Sequence, residues 1–211
     1  MQACHPGFMQ RPAGVTTFKL REKASVFLAE LRPAEDGSAR AAVLAALRKR
    51  EHDATHHCSA WREGAPLRAS AADDDGEPGG TAGRPMLKVM EGAELTDALL
   101  VCVRWFGGTK LGTGGLVRAY TEAAQGALAQ AEAEGLLKSI RVLRQGLIQV
   151  PPEDAHLPFA VLGAFPGAEL VTRDFGPWGL RIRFSIPPEQ AAAFESAWRE
   201  RSRGGRVVWP P

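Results

Sequence analysis

Apolar positions along the chain fall into short alternating or unbroken runs separated by stripes of helical period, the pattern of mixed α and β elements. Val15–Leu20 and Ser25–Leu31 read as strands. Asp36-Gly37-Ser38 is a turn that hands over to a helix with Ser38 as its N-cap. In that helix Val43, Leu44 and Leu47 share one face, and Arg48, Lys49 and Arg50 suit the dipole of the last turn. Thr55–Trp61 predicts a short strand, and Arg62–Gly80 a polar loop of a length that is usually functional or disordered. Thr81–Glu91 predicts a short helix with Pro85 in its first turn. Ala98–Val103 is an unbroken apolar run ending in Arg104-Trp105-Phe106, as expected of a strand buried on both faces. Gly107–Gly115 holds five glycines in nine residues. A helix follows, with Leu116, Val117, Tyr120, Ala124, Ala127, Leu128 and Ala131 on one stripe and Gly135 as its stop.

Near Leu136–Ile140 the pattern restarts. Arg141–Val150 predicts a strand ended by Pro151-Pro152, and Glu153–Gly163 a helix in which Pro158 is the awkward residue. Glu169–Phe175 and Leu180–Ile186 flank Gly176-Pro177-Trp178-Gly179 as a hairpin. Glu189–Arg203 carries Ala191, Phe194 and Trp198 at helical spacing, and Arg206–Trp209 reads as a last short strand. That order, β-α-β-β-α-β, is ferredoxin-like. The class is therefore α+β, with a flexible arm at 1–14, one domain at 15–138 and a ferredoxin-like domain at 139–211.

Composition narrows the function. Hydrophobic residues make up 45% and charged residues 24% of 211, ordinary for a globular chain. Ala98–Val103 falls far short of the ~20 apolar residues that span a bilayer, so no membrane partner is expected. The N-terminus shows no secretory pattern, and three cysteines (Cys4, Cys58, Cys102) suggest no disulfide framework, so the expected compartment is a reducing cytoplasm. The net charge of +2 is too mild to establish nucleic-acid binding. Asparagine is absent and Arg outnumbers Lys 20 to 6, as a GC-rich genome would give.

Three clusters carry candidate chemistry. His52, His56, His57 and Cys58 are zinc-type ligands. Neighbours on a strand point to opposite faces, however, so His56 and His57 do not readily share one ion. Cys58 between such neighbours is either an activated thiolate or a small buried residue, the latter being commoner. Asp73-Asp74-Asp75-Gly76-Glu77 is either a carboxylate site for Mg²⁺ or, as the helix start at Thr81 favours, a set of caps for free amides, including those of a neighbouring glycine loop. Gly107–Gly115, between a buried strand and a helix, suits an anion at the helix N-terminus, with Arg104, Lys110 and Arg118 adding charge; the alternative is tight turns for close packing. The spacing fits neither the Walker loop nor the dinucleotide fingerprint, and no G-x-S-x-G nucleophile elbow is present.

Together, Ala54-Thr55-His56-His57-Cys58-Ser59-Ala60-Trp61, Asp74-Asp75-Gly76-Glu77-Pro78 with Gly80-Thr81-Ala82-Gly83-Arg84-Pro85-Met86-Leu87, and Val103–Tyr120 resemble the signature of the IMPACT/YigZ family over about residues 20–130, and the last third resembles the small domain of its bacterial members. The resemblance implies an N-terminal fold like the second domain of ribosomal protein S-five, relatives that regulate translation, and RNA or ribosome binding. The family's Lys-Ser-Arg-Phe is Ala24-Ser25-Val26-Phe27 here, so an arginine is missing; Asp73 and Gly79 replace small residues. The expected function is binding of RNA or ribosome through the phosphate backbone, modulating translation, with Arg104, Lys110 and Arg118 on phosphate and Asp74, Asp75 and Glu77 buttressing the loop. The full candidate set is His57, Arg62, Asp74, Asp75, Glu77, Thr81, Arg104, Gly107, Gly108, Thr109, Lys110, Gly112, Gly114, Gly115 and Arg118, with no catalytic residue, metal or cofactor assigned. Two rivals stand beside it: a metal-assisted hydrolase or phosphotransferase built on the Asp, Glu and His residues, and a regulator that binds a translation factor or kinase-regulator protein without nucleic acid.

Overall fold

In the computed structural model, residues 7–210 are described, and they divide into two units, residues 8–140 and residues 141–210 with Gly7. The first unit runs β1 (Phe8–Pro12), β2 (Thr16–Glu22), β3 (Ser25–Pro33), α1 (Gly37–Arg50), β4 (His56–Glu63), β5 (Ala69–Asp73), α2 (Gly83–Gly92), β6 (Ala98–Trp105), α3 (Gly112–Ala133) and β7 (Leu137–Arg141). Five strands form one antiparallel sheet in the order β2-β3-β6-β4-β5, and β1 pairs separately with β7.

The sheet is covered on both faces, and this explains the unbroken apolar run. On one face Ala98, Leu100 and Cys102 of β6 pack with Phe27, Ala60 and the α2 and α3 stripes, including Met86, Leu116, Tyr120 and Ala127. On the other, Leu99, Val101 and Val103 meet Leu47 of α1, with Val43 and Leu44 at its margin. Each buried Leu or Val of this kind contributes about 1.5–3 kcal/mol relative to exposure.

Several expectations need correction. Phe8–Pro12 is a strand rather than an arm, because Gln10 donates to the Glu94 carbonyl and accepts from the Thr96 amide; Met1–Pro6 lie outside the described residues. The N-cap of α1 is Asp36, whose carboxylate accepts from the Ala39 amide, while Ser38 donates to the same oxygen. Arg62–Gly80 is not a continuous loop: β4 extends to Glu63, and Ala69–Asp73 is a strand.

The second unit contains β8 (Arg144–Val150), a 3₁₀ turn (Pro152–Asp154), α4 (Leu157–Leu162), β9 (Glu169–Gly176), β10 (Gly179–Ile186), a second 3₁₀ turn (Pro188–Gln190) and α5 (Ala191–Arg201). The strand order is β8-β10-β9, and Val208 adds an isolated antiparallel bridge to Leu147 on the other side of β8. This is the ferredoxin-like arrangement that the order of elements predicts. Ile148, Val150, Leu180, Ile182 and Phe184 pack against Phe194 and Trp198 of α5. The predicted strand Arg141–Val150 breaks at Val142, whose amide turns to the Gly7 carbonyl. The predicted helix Glu153–Gly163 shortens to α4 after the 3₁₀ turn, and Pro158 sits in its first turn, where no amide donor is required. Among the described residues no helix is long and apolar enough to cross a membrane.

Candidate functional site

The site is built at the end of β6. Arg104 is 4% exposed. Its guanidinium lies over the Phe27 ring at 5.3 Å and the Phe106 ring at 5.5 Å. A cation so buried requires a counter-charge. Glu77, 8% exposed, provides it: Arg104 Nη1 donates to Glu77 Oε1 at 2.6 Å, and Arg104 Nη2 donates to Ser25 Oγ at 3.3 Å. Glu77 Oε1 also accepts from Tyr120 Oη at 2.7 Å, which ties α3 to the acidic turn.

Each residue of that turn has a definite task. Asp74 accepts from the amides of Gly80, Ala82 and Gly83 at 2.6, 3.0 and 2.8 Å, satisfying donors at the start of α2. Asp75, in the left-handed region with φ 43°, accepts from Arg48 Nη2 at 2.6 Å and from the His57 amide at 2.6 Å. Burial pushes both carboxyls up, but the amides around Asp74, and Arg48 and the His57 amide around Asp75, outweigh it and hold them below the usual carboxylate range. The carboxylates therefore brace the acidic turn, α2 and the end of β6, and none of them bonds to Gly107–Gly115.

The histidines separate as strand geometry predicts. His56 Nδ1 lies 2.8 Å from the Asp75 carbonyl, and its Nε2 lies 3.9 Å from Glu77 Oε1. His57 is buried, its Nε2 without a hydrogen-bond partner, and burial followed by the nearby Arg48 lowers its pKa. Cys58 Sγ donates to the Asp74 carbonyl at 3.1 Å and lies 3.3 Å from Tyr120 Oη. Burial pushes its thiol up to about 12, so it is a neutral thiol at physiological pH rather than a nucleophilic thiolate. Among the described residues no three His, Cys, Asp or Glu side chains converge as metal ligands do.

Four expected contact residues are internal. Arg104 is sealed as above, Arg62 donates to the Met90 carbonyl, Thr81 donates to the Pro78 carbonyl, and His57 lies under α1. Their charge and hydroxyls hold the fold and face no solvent-borne partner. The glycine stretch is different. The Phe106 amide donates to Thr55 Oγ1 and the Gly107 amide to Ser25 Oγ, and from Gly108 to Gly114 every residue but Leu111 is exposed. The first turn of α3, Gly112–Gly115, has no side-chain cap. Lys110 and Arg118 are exposed and, among the described residues, pair with no acid.

Ser25, Arg48 and Tyr120 join the site without standing among the candidate residues read from the sequence, and His56, a candidate there only as a metal ligand, joins it as a neighbour of the Asp75 carbonyl. Tyr120 carries a legible signal: it is the chain's sole tyrosine, on a stripe otherwise of Ala, Leu and Val, and a buried phenol seeks a partner.

A titration checks the acidic turn. Both aspartates titrate lower in the fold than in the unfolded chain. Their contribution is thus complete above the unfolded carboxylate range, about 3.9, and is lost as pH falls through their folded values. Stability of the first unit, followed by urea unfolding from pH 7 downward, is expected to drop below about pH 4, and Asp75→Asn is expected to make that drop shallower. An unchanged slope would contradict the assignment.

The Impact N-terminal domain model matches residues 23–128. The chain is similar to "IMPACT family member YigZ" of Escherichia coli strain K12, at 33% identity over 195 residues, covering 92% of this chain and 93% of that protein. An IMPACT family member of Thermus thermophilus is 40% identical over 166 residues, covering 78% and 85%. A crystal structure described as a hypothetical protein superposes with a TM-score of 0.60 at 30% identity and covers 96% of both chains.

Proposed function

This chain belongs to the IMPACT family, and on that premise we propose that its first unit binds the phosphate backbone of RNA, on the ribosome or elsewhere in the translation machinery, and so modulates translation. The observation that carries this reading is the exposed stretch Gly108–Gly114, which leads into a 22-residue helix with no side-chain cap, with Lys110 before it and Arg118 within it, two cations that pair with no acid among the described residues. A long helix concentrates partial positive charge at its N-terminus, where free amides suit phosphate oxygens. Gly107, Gly108, Thr109, Gly112, Gly114 and Gly115 supply backbone, and Lys110 and Arg118 supply charge. Glu77, Asp74 and Asp75 act from beneath, fixing the strand end and the turns that present the loop. Hydrolysis assisted by a metal is disfavoured, because these carboxylates already hold amides, arginines and a phenol.

The test is the salt dependence of binding to a fluorescein-labelled ribosomal RNA fragment by anisotropy. Affinity is expected to fall steeply between about 50 and 200 mM salt. Lys110→Ala with Arg118→Ala is expected to weaken binding and reduce the log–log slope by about 1.4, two single-strand contacts at about 0.7 each. Affinity that ignores both salt and the double substitution would overturn the proposal.

A further inference from the structure

Open sheet edges invite pairing, and proteins blunt them with charge, bulges or cover. Two edges here carry such devices. β2 sets Lys19 and Arg21 along its length, and β9 shifts register opposite Arg183/Phe184, leaving Val171 without a cross-strand partner. β5 carries neither. Ala69-Ser70-Ala71-Ala72 are small, uncharged and exposed, and their register with β4 runs unbroken from Ala69 to Asp73.

The ground beside this edge is also built. The α-carbon of Gly83 abuts the Asp73 backbone so closely that a Cβ would lie 2.7 Å from the Asp73 nitrogen. Seven residues later the Met90 carbonyl accepts from Arg62, which lies opposite Ser70. The helix α2 therefore runs alongside β5 in the opposite direction. Between them lies a cavity of about 550 Å³, lined by Ala72, Leu87, Arg84 and Lys88, with Glu91 at its margin. Asp74 faces it but is held by three amides. Arg84 and Lys88 are exposed and, among the described residues, pair with no acid.

We propose that β5 is a docking edge for an extended acidic segment of a partner protein, which adds a sixth strand to the sheet and sets alternate acidic side chains against Arg84 and Lys88. Main-chain bonds would hold the added strand, and side-chain pockets would select it. The spacing suits this: alternate residues of a strand lie about 6.8 Å apart, and the helical rise from Arg84 to Lys88 is about 6 Å. A second copy would bring the same two cations towards the first, and a nucleic acid has no peptide ladder to offer. The surface is separate from Gly108–Gly114 and does not depend on RNA binding there.

The experiment uses the full ¹⁵N-labelled chain with a blocked, fluorescein-labelled peptide alternating glutamate and valine, and its lysine-for-glutamate counterpart. The acidic peptide is expected to shift the amides of Ala69, Ser70, Ala71 and Ala72 and to raise anisotropy, with the lysine peptide about tenfold weaker or more. Arg84→Glu with Lys88→Glu, both at exposed positions, is expected to reverse that preference while leaving binding to the RNA fragment unchanged. Absence of shifts on β5 at millimolar acidic peptide, equal binding of the two peptides, or β5 shifts traced to self-association or to the RNA fragment would each overturn the proposal.

Discussion

Glu77→Gln is expected to destabilise the first unit by about 3–5 kcal/mol, the usual loss when one partner of a buried ion pair is removed. Arg104 would then remain 4% exposed with no formal counter-charge, and Tyr120 would donate to a weaker acceptor. Urea unfolding, with amide exchange to assign the transition to residues 8–140, measures the effect. Tyr120→Phe should cost less, about 1 kcal/mol, because it deletes one hydrogen bond and leaves the ion pair. The combination Glu77→Gln with Arg104→Met should recover much of the loss, since no buried charge is then left alone. A loss below about 1 kcal/mol for Glu77→Gln, as for an exposed pair, would show that the network does not hold the strand end.

Gly107→Ala is expected to have the next largest effect. An added Cβ would stand 2.0 Å from both the carbonyl carbon and oxygen of Ala24, backbone atoms of the β2–β3 turn that have no rotamer to yield. The loop or the turn must move, at a cost of about 3 kcal/mol or more, and the amides from Gly108 to Lys110 should shift in the NMR spectrum. Gly108→Ala is the matched control. Its φ is +83° and nothing lies within 4 Å of the added atom, so only backbone strain of about 1–2 kcal/mol is expected. RNA affinity should follow the same order, falling more for Gly107→Ala. Equal stabilities would mean that the close approach to Ala24 does not position the loop.

The parts of the fold legible in the sequence are those whose burial leaves a pattern. Ala98–Val103 declared a strand covered on both faces, and Leu116, Tyr120, Ala124, Ala127 and Ala131 declared the inner face of α3. Strands defined by pairing alone left no such trace. All five residues of β5 are exposed, so its only signature is its ladder with β4. β1 draws its order from Glu94–Thr96 and β7, stretches far away in sequence. The site was legible in composition but not in orientation. Arg104 looked like a surface cation because its counter-charge stands 27 residues earlier, and Arg62 because its acceptor is a carbonyl on another element. The glycines, Lys110 and Arg118 owe their exposure to a strand-to-helix connection, and that connection was visible from the residue types.

The first strand also bears on how this protein is handled in the laboratory. Phe8–Pro12 joins the Glu94–Thr96 bend to β7, and Ala13 extends the link by donating to the Leu136 carbonyl. A shortened version beginning at Gly14 would keep every helix and the whole five-stranded sheet, yet it would unclasp the segment through which the polypeptide leaves the first unit. Protease sensitivity near Leu137–Arg141 therefore gives a simple readout of whether the clasp is closed.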